Sequence, residues 1–415
     1  MPSDFAMRLA AYAELIVRTG LNLQTGQRLI VADPYEHHGV SRSAEPFIEA
    51  IRLAALKVAG TAPGMIEIIW SNPTRLRELA DKGNWRGLSQ LMAANAHKIN
   101  EHIVRRDAVL FLLSGHSEFM IGIPPARIAE TRRIASEYLG PVIQQLTRAD
   151  TNWTAAPSPS QEWADVVYPE LSTSERIPAL WNAIFDTMRI PGRGPESAGN
   201  TAEGEMFSAW NRHLLTLQRR VDELNTNRFS KLLYEGEGTH LTVLLPAGHR
   251  WCTAAMRTPA GISFLANLPM EEAFTSPHKD SANGIVRVAR PVVFGGAVID
   301  GIELEFREGL VVSARAAKNE PLLFEVLDTD HGSRRLGEVA IVTGSLFSNA
   351  PCPSAPLARH KDRFFHHVLL DENICNHVAL GSGYEFCLNP PNPAALNQSL
   401  IHLDLPMTAR ASLQP

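Results

Sequence analysis

The sequence lacks the features that identify disulfide-rich and membrane proteins. It contains four cysteines in 415 residues, and no two of them form a CxxC pair. So few cysteines argue against a disulfide scaffold and favour a reduced protein, so we expect a cytoplasmic location. No run of about 18 uncharged apolar residues is present, so no membrane span is predicted. Charges from Asp4 to Arg18 indicate an amphipathic helix at the N-terminus and not a signal peptide.

The charge balance also argues against a nucleic-acid partner. The chain has 39 basic and 44 acidic residues, a formal net charge of −5, and no basic stripe interleaved with aromatic residues. Hydrophobic residues make up 45% and charged residues 20%, which is typical of a soluble globular protein with a sizeable core. We therefore expect a small molecule or a peptide as the ligand, and the length of 415 residues predicts two or three domains.

The first half of the sequence alternates strand-like and helix-like segments. Short apolar runs bounded by turn residues lie at 27–34, 64–71 and 108–115, and helical periodicity covers 45–58 and 124–139. Such alternation predicts an α/β layer with a mostly parallel sheet.

Two further helices are predicted at 180–188 and 207–225. The segment between them, 189–205, is rich in Pro, Gly and Ser, which indicates a mobile surface insertion. We assign residues 1–240 to an N-terminal α/β domain.

Residues 241–415 have a different pattern and are assigned to a second domain. Apolar residues alternate with period two and are punctuated by Gly, Pro and Asp, which predicts antiparallel β structure. A proline-containing loop, 344–366, interrupts this pattern. His366 and His367 follow Phe364 and Phe365, and we interpret them as loop packing.

Four segments of this β-rich half place carboxylates or imidazoles beside apolar residues. The residues are Glu271, Glu272, Glu338, Glu372, His377, His402 and Asp404. Taken singly, each has an ordinary explanation: a strand-edge glutamate, a solvated Glu-Glu turn, or a structural His-x-Asp pair. On a strand, His402 and Asp404 would share one face, and Ile401, Leu403 and Leu405 would pack on a core from the other.

Taken together, these residues favour a metal site. A buried unpaired carboxylate costs several kcal/mol, so a cluster of them needs cations. Four carboxylates and two imidazoles suit two divalent ions about 3.5–4 Å apart, bridged by a carboxylate and a water. Oxygen and nitrogen donors without thiolate favour Zn, Co or Mn.

The motifs that carry these residues resemble one family. "NLPMEEAFTSP", "RRLGEVAIV", "DENICNHVALGSGY" and "NQSLIHLDL" occur in the order found in the M29 family of metallo-aminopeptidases, and the similarity runs nearly end to end. The resemblance implies an N-terminal α/β domain, a β-rich catalytic domain and a homodimer that encloses the active sites. It also implies a peptide or small amide as the substrate. The loop 344–366 is longer than usual for the family, and "LPMTARASLQP" replaces the usual sequence after Asp404.

The same resemblance assigns roles to individual residues. The implied metal ligands are Glu272, Glu338, Glu372, His377, His402 and Asp404. Glu338 would bridge the two ions, and Tyr384 would be the active-site tyrosine, which stabilises the oxyanion. Glu271 would either support the ligands or act as the general base.

Two alternatives remain at this point. Ring-cleaving dioxygenases of the dihydroxypyridine type resemble the same family but use a single Fe(II), which needs only two His and one carboxylate. A binding protein that uses the α/β half is the other alternative. Two short glycine motifs, GEG at 236–238 and GSG at 381–383, lack a strand–GxGxxG–helix context, so nucleotide binding is unsupported.

Overall fold

The computed structural model describes residues 4–35, 38–115, 119–192, 202–342, 360 and 362–415. Within these ranges, no helix is long and apolar enough to cross a membrane. Most of the loop 344–366 lies outside the described residues, as does Cys352. The other three cysteines, Cys252, Cys375 and Cys387, are free thiols.

The N-terminal half contains the predicted parallel sheet. Its strands are β1 (Leu29–Ala32), β2 (Ile66–Ile68), β3 (Ala108–Leu113) and β4 (Trp153–Pro157), in the order β2-β1-β3-β4. All three pairings are parallel. Every residue of β1, β3 and β4 is buried, which is why these strands read as continuous apolar runs.

Eight helices surround this sheet or follow it. They are α1 (Asp4–Leu15), α2 (Glu45–Ala59), α3 (Pro73–Asp81), α4 (Trp85–Val104), α5 (Pro125–Thr147), α6 (Gln161–Val167), α7 (Thr173–Thr187) and α8 (Ala202–Asn227). Helices α2, α5, α7 and α8 coincide with predicted helices, although three of these extend further. Helix α5 continues past Pro141 to Thr147, whereas the prediction ended at residue 139.

The prediction of a mobile surface insertion at 189–205 is wrong at its first residues. Ile190 is buried, and the guanidinium of Arg189 stacks over the Trp210 ring at 5.0 Å. Composition indicated a surface segment, but these two side chains fill the junction between α7 and α8. Residues 193–201 lie outside the described residues.

The second half forms the predicted antiparallel structure. Its strands are β5 (Lys231–Gly236), β6 (Thr239–Leu244), β7 (Ala255–Arg257), β8 (Ser263–Leu265), β9 (Glu272–Thr275), β10 (Asn283–Arg287), β11 (Val292–Phe294), β12 (Ala297–Ile299), β13 (Glu303–Arg307), β14 (Leu310–Arg315), β15 (Leu336–Val342), β16 (His377–Gly381), β17 (His402–Pro406) and β18 (Ala409–Gln414). They form a six-stranded sheet, β14-β13-β10-β6-β5-β18, a four-stranded sheet, β17-β16-β15-β9, and two hairpins. Two helices not predicted from the sequence, α9 (Glu320–Leu327) and α10 (Val368–Asp371), interrupt these strands.

The antiparallel structure begins before residue 241, because β5 starts at Lys231 and pairs with β6 and β18. The division into domains at residue 240 stays a prediction.

Two contacts join the parallel sheet to the segments that lead into β9 and β16. Ala155 of β4 exchanges backbone hydrogen bonds with Ala266 and Leu268, at 2.8 and 2.9 Å. The indole nitrogen of Trp163 donates a hydrogen bond to the carbonyl oxygen of Phe365, and the Trp163 ring stacks on His367 at 4.8 Å. His367 therefore packs against Trp163, in agreement with the prediction that it serves loop packing.

The close approach of β3 to Trp163 gives a first testable prediction. A Cβ added at Gly115 would lie 2.3 Å from ring atoms of Trp163, so Gly115→Ala must displace a fully buried side chain. We expect the free energy of unfolding to fall by about 1–3 kcal/mol, measured by thermal or urea unfolding. The matched control is Gly64→Ala, where no atom lies within 4 Å of the added Cβ, and we expect it to leave stability nearly unchanged. Equal stability of both variants would contradict this reading of the contact.

Candidate metal centre

Strand register places five of the predicted ligands on one face of the four-stranded sheet. Glu338 on β15 and Asp404 on β17 both pair with Ala379 of β16. His377 pairs with Ala340, Glu272 with Val342 and His402 with Gly381, so every pair falls on the same face. The residues between the ligands on this face include Ala340 and Ala379, whose small side chains leave space above the sheet.

The side chains on this face lie close together. His377 Nε2 is 3.1 Å from Glu272 Oε2 and 3.9 Å from Glu338 Oε1. His402 Nε2 is 3.1 Å from Glu338 Oε2 and 3.4 Å from Asp404 Oδ1. Two groups of possible ligands result, Glu272–Glu338–His377 and Glu338–His402–Asp404, and Glu338 belongs to both.

Backbone carbonyl groups orient both imidazoles. Nδ1 of His377 lies 3.4 Å from the carbonyl oxygen of Cys375, and Nδ1 of His402 lies 3.1 Å from that of Ser382. A carbonyl oxygen only accepts, so each Nδ1 carries the proton in the neutral ring. Each Nε2 then directs a lone pair toward the carboxylates, an arrangement characteristic of histidines that bind metals.

Glu372 reaches the same cluster from outside the sheet. It lies in a short helical turn directly after α10, is buried, and shares a hydrogen bond with Asp404. Two carboxylates can share such a bond only when one of them holds a proton. The amide nitrogen of Asn373 lies 3.3 Å from Glu372 Oε1, which fixes the position of that carboxylate.

The pKa values show how poorly the site tolerates its own negative charge. Burial, followed by the charge of Asp404, raises the pKa of Glu372 well above its usual range. Burial also raises the pKa of Glu338, with Glu272 adding to the effect. Burial alone would lower the pKa of His377, but Glu272 and its neighbours raise it to about 10. Protons therefore compensate part of the negative charge when no cation does so.

The donor set fits divalent cations. Oε2 of Glu272 is buried, and His377 Nε2 lies 3.1 Å from it. Neither group of ligands within the described residues contains a cysteine, and the mixture of carboxylate and imidazole donors is typical of Zn, Co or Mn. A cation between these atoms would replace the proton of His377 and would be bound by the buried oxygen of Glu272 and by Nε2 of both imidazoles.

Tyr384 lies at the edge of this cluster. Its hydroxyl is 3.2 Å from His402 Nε2, and its backbone N–H donates to Ser276 Oγ at 2.7 Å. The ring stacks on Phe386 at 5.2 Å and contacts Phe274 at 5.4 Å. Burial, followed by Glu338 and Asp404, raises the pKa of Tyr384 well above its ordinary value, so the phenol is neutral and can donate a hydrogen bond.

Glu271 is directed away from the cluster that its neighbour Glu272 joins. Its Oε1 accepts a hydrogen bond from Arg189 Nη2 at 2.7 Å, and Oε2 lies 3.7 Å from His213 Nε2. Its backbone N–H donates to Asn373 Oδ1 at 2.8 Å. Arg189 and His213 lie near no recognisable motif, so the sequence alone does not single them out.

Asp371, also in the stretch around Glu372, binds backbone instead of joining the cluster. Its two carboxylate oxygens accept hydrogen bonds from the backbone N–H groups of Phe365 and His367, at 2.9 and 3.0 Å. This carboxylate therefore holds the end of the loop that precedes Glu372.

Known proteins resemble the chain over nearly its full length. The family model described as thermophilic metalloprotease (M29) matches residues 5–412. Aminopeptidase T of Thermus thermophilus is 32% identical over 407 residues, covering 96% of this chain and 92% of the relative. Aminopeptidase AmpS of Bacillus subtilis is 30% identical over 409 residues, covering 97% and 92%.

A solved structure agrees with these relatives. Wild-type AmpT from Thermus thermophilus superimposes with a TM-score of 0.82 at 30% sequence identity, covering 99% of this chain and 96% of that one. The family resemblance and the predicted fold class are thereby confirmed. The chain therefore belongs to the M29 family of metalloproteases, and it is a metal-dependent hydrolase.

Proposed function

We propose that this hydrolase is an aminopeptidase that removes the N-terminal residue of peptides with the help of two divalent metal ions, Zn, Co or Mn. The observation that carries the proposal is the position of Glu338, whose two oxygens face two different imidazoles. A carboxylate shared by two ligand groups is what a pair of ions requires. The curated relatives that match nearly the whole chain are named aminopeptidases, which supports the reaction.

The residues divide between the two ions in this proposal. Glu272 and His377 would hold one ion, His402 and Asp404 the other, and Glu338 both. Glu372, which shares a hydrogen bond with Asp404, would contribute the sixth side chain. When bound, such ions act as Lewis acids and lower the pKa of a coordinated water.

Tyr384 and Glu271 would have different roles in the reaction. The neutral hydroxyl of Tyr384, at the rim of the cluster, is suited to donate a hydrogen bond to the substrate oxygen as negative charge develops on it. Glu271 already accepts a hydrogen bond from the Arg189 guanidinium and is directed away from the ligand groups. Of the two roles that the resemblance allows for Glu271, this contact favours support of the Glu272 segment.

The homodimer implied by the family resemblance and the cytoplasmic location stay predictions.

Substrate choice and metal content test the proposed function together. Protein purified without added cations and then loaded with Zn, Co or Mn should bind about two ions per chain. It should release the first residue of a peptide with a free amino group, and blocking that group by acetylation should abolish release. One iron per chain with oxygen-dependent turnover would instead identify the dioxygenase alternative.

Removal of the shared charge gives a second test. Glu338→Gln should abolish hydrolysis of an aminoacyl-p-nitroanilide and lower the metal content, because both ions lose the same ligand charge. Glu305→Gln is the matched control, since Glu305 lies on β13 and pairs with Arg307 at 2.7 Å, remote from the ligand groups. A Glu338→Gln enzyme with two metals and a near-normal rate would refute the shared position.

The hydroxyl of Tyr384 gives a third test. If the hydroxyl donates a hydrogen bond only to the negative charge that develops on the substrate oxygen in the transition state, Tyr384→Phe should lower kcat and kcat/KM together by about 10²–10³-fold. Metal content, measured on the same preparation, should equal that of the wild type, because the phenol is not among the ligands. A change confined to KM would place Tyr384 in substrate binding instead.

A further inference from the structure

The carboxyl edge of the parallel sheet lies beside the metal centre, although it contributes none of the ligands. In the order β2-β1-β3-β4, the chain reverses its direction of winding between β1 and β3. In open α/β sheets, ligands bind in the crevice that this reversal leaves at the carboxyl ends of the two strands. Strands β1 and β3 pair as far as Ala32 and Phe111, so the residues that follow them meet at that crevice.

On the β3 side, the crevice contacts the segment that leads to Glu372. His367 Nε2 lies 3.3 Å from the carbonyl oxygen of Leu113, the last residue of β3. His367 in turn is held by Asp371, which directly precedes Glu372. The crevice and the metal centre therefore share one wall.

On the β1 side stands Tyr35, three residues after the strand ends. Its backbone N–H donates to Asp33 Oδ1 at 2.9 Å, and its carbonyl oxygen accepts from Arg132 Nη1 at 2.8 Å. Its ring meets Phe111 edge-on, with centroids 6.0 Å apart. The backbone and ring of Tyr35 are thus fixed at the crevice.

Burial and nearby carboxylates determine the protonation state of the Tyr35 phenol. Burial, and then the charge of Asp33, raises the pKa of Tyr35, and the ligand carboxylates Glu372 and Asp404 raise it further. Tyr35 also adds to the raised pKa of Tyr384. The phenol of Tyr35 is therefore neutral near pH 7 and can donate a hydrogen bond.

We propose that Tyr35 is a substrate-binding residue whose hydroxyl donates a hydrogen bond to a backbone carbonyl oxygen of the bound peptide. The crevice between β1 and β3 then forms the wall of the substrate site that belongs to the N-terminal half of the chain. This inference rests on the proposed aminopeptidase function. A phenol held by its ring and main chain loses little freedom when it binds, and the regularly spaced carbonyl groups of a peptide are suitable acceptors.

Replacement of the hydroxyl alone tests the proposal. Tyr35→Phe should raise KM for a tripeptide about 3–10-fold, the effect of one neutral hydrogen bond, with kcat changed less than about twofold. Metal content and thermal midpoint should equal those of the wild type. The matched control is Tyr12→Phe, which removes a fully buried hydroxyl that donates to the Pro157 carbonyl oxygen at 2.9 Å. It should lower the thermal midpoint and leave KM unchanged.

The outcomes separate this inference from the function on which it rests. An active wild type with an unchanged KM for Tyr35→Phe overturns the inference and leaves the aminopeptidase intact. A fall in kcat that accompanies lost metal or a lower thermal midpoint assigns Tyr35 a structural role and also overturns it. A metal-loaded wild type that releases no N-terminal residue overturns the proposed function and this inference with it.

Discussion

The concentration of four carboxylates and two imidazoles at one site, where four of the six side chains are buried, is the constraint on which the second half of the protein depends. Burial raises the free energy of each charged carboxylate, and their mutual repulsion raises it further, as the pKa values of Glu338 and Glu372 show. The fold tolerates this cluster because Nε2 of each histidine is directed into it. Cations at the same position would remove the repulsion, so metal binding and folding of this half are coupled.

A second layer of contacts fixes the geometry of the cluster. Carbonyl oxygens hold Nδ1 of both histidines, and Asn373 connects Glu372 to the backbone of Glu271. Strand alternation then gives adjacent glutamates different partners: Glu272 joins the ligands, and Glu271 meets Arg189. The cluster is therefore held by main-chain atoms and by side chains from the segment after α7, from α8 and from the turn after α10, which limits how far any proposed ligand can move.

The two halves of the chain meet where the chemistry would take place. Five of the proposed ligands lie on one face of an antiparallel sheet, and the carboxyl edge of the parallel sheet closes on the segment that carries Glu372. Loops at such an edge are free to vary without disturbing strand pairing, so they are suited to contact a substrate. The antiparallel sheet, whose register is fixed by burial, is suited to hold ligands that must not shift.

Much of this organisation could be predicted from the sequence, because it depends on short-range periodicity. Continuous apolar runs indicated β1, β2 and β3, and period-two alternation placed Ile401, Leu403 and Leu405 on a buried face, as the structure confirms. The doublet Glu271–Glu272 and the stretch 371–377 stood out because carboxylates are rare beside apolar residues. Periodicity alone could not tell which glutamate of the doublet faces the proposed ligands, since alternation fixes only that the two point apart; the family resemblance was needed to choose Glu272.

Only the tertiary structure decided how residues distant in the chain come together. The pairing of Ala379 with both Glu338 and Asp404 depends on the register of three strands, which no single segment encodes. Arg189, in a segment whose composition indicated exposure, is buried because Glu271 and Trp210 lie across from it. Tyr35 carries no motif, and it lies at the crevice only because β1 and β3 end together at one edge of the sheet. Local sequence determines the faces of strands and helices, but charge and space at a site depend on which faces meet.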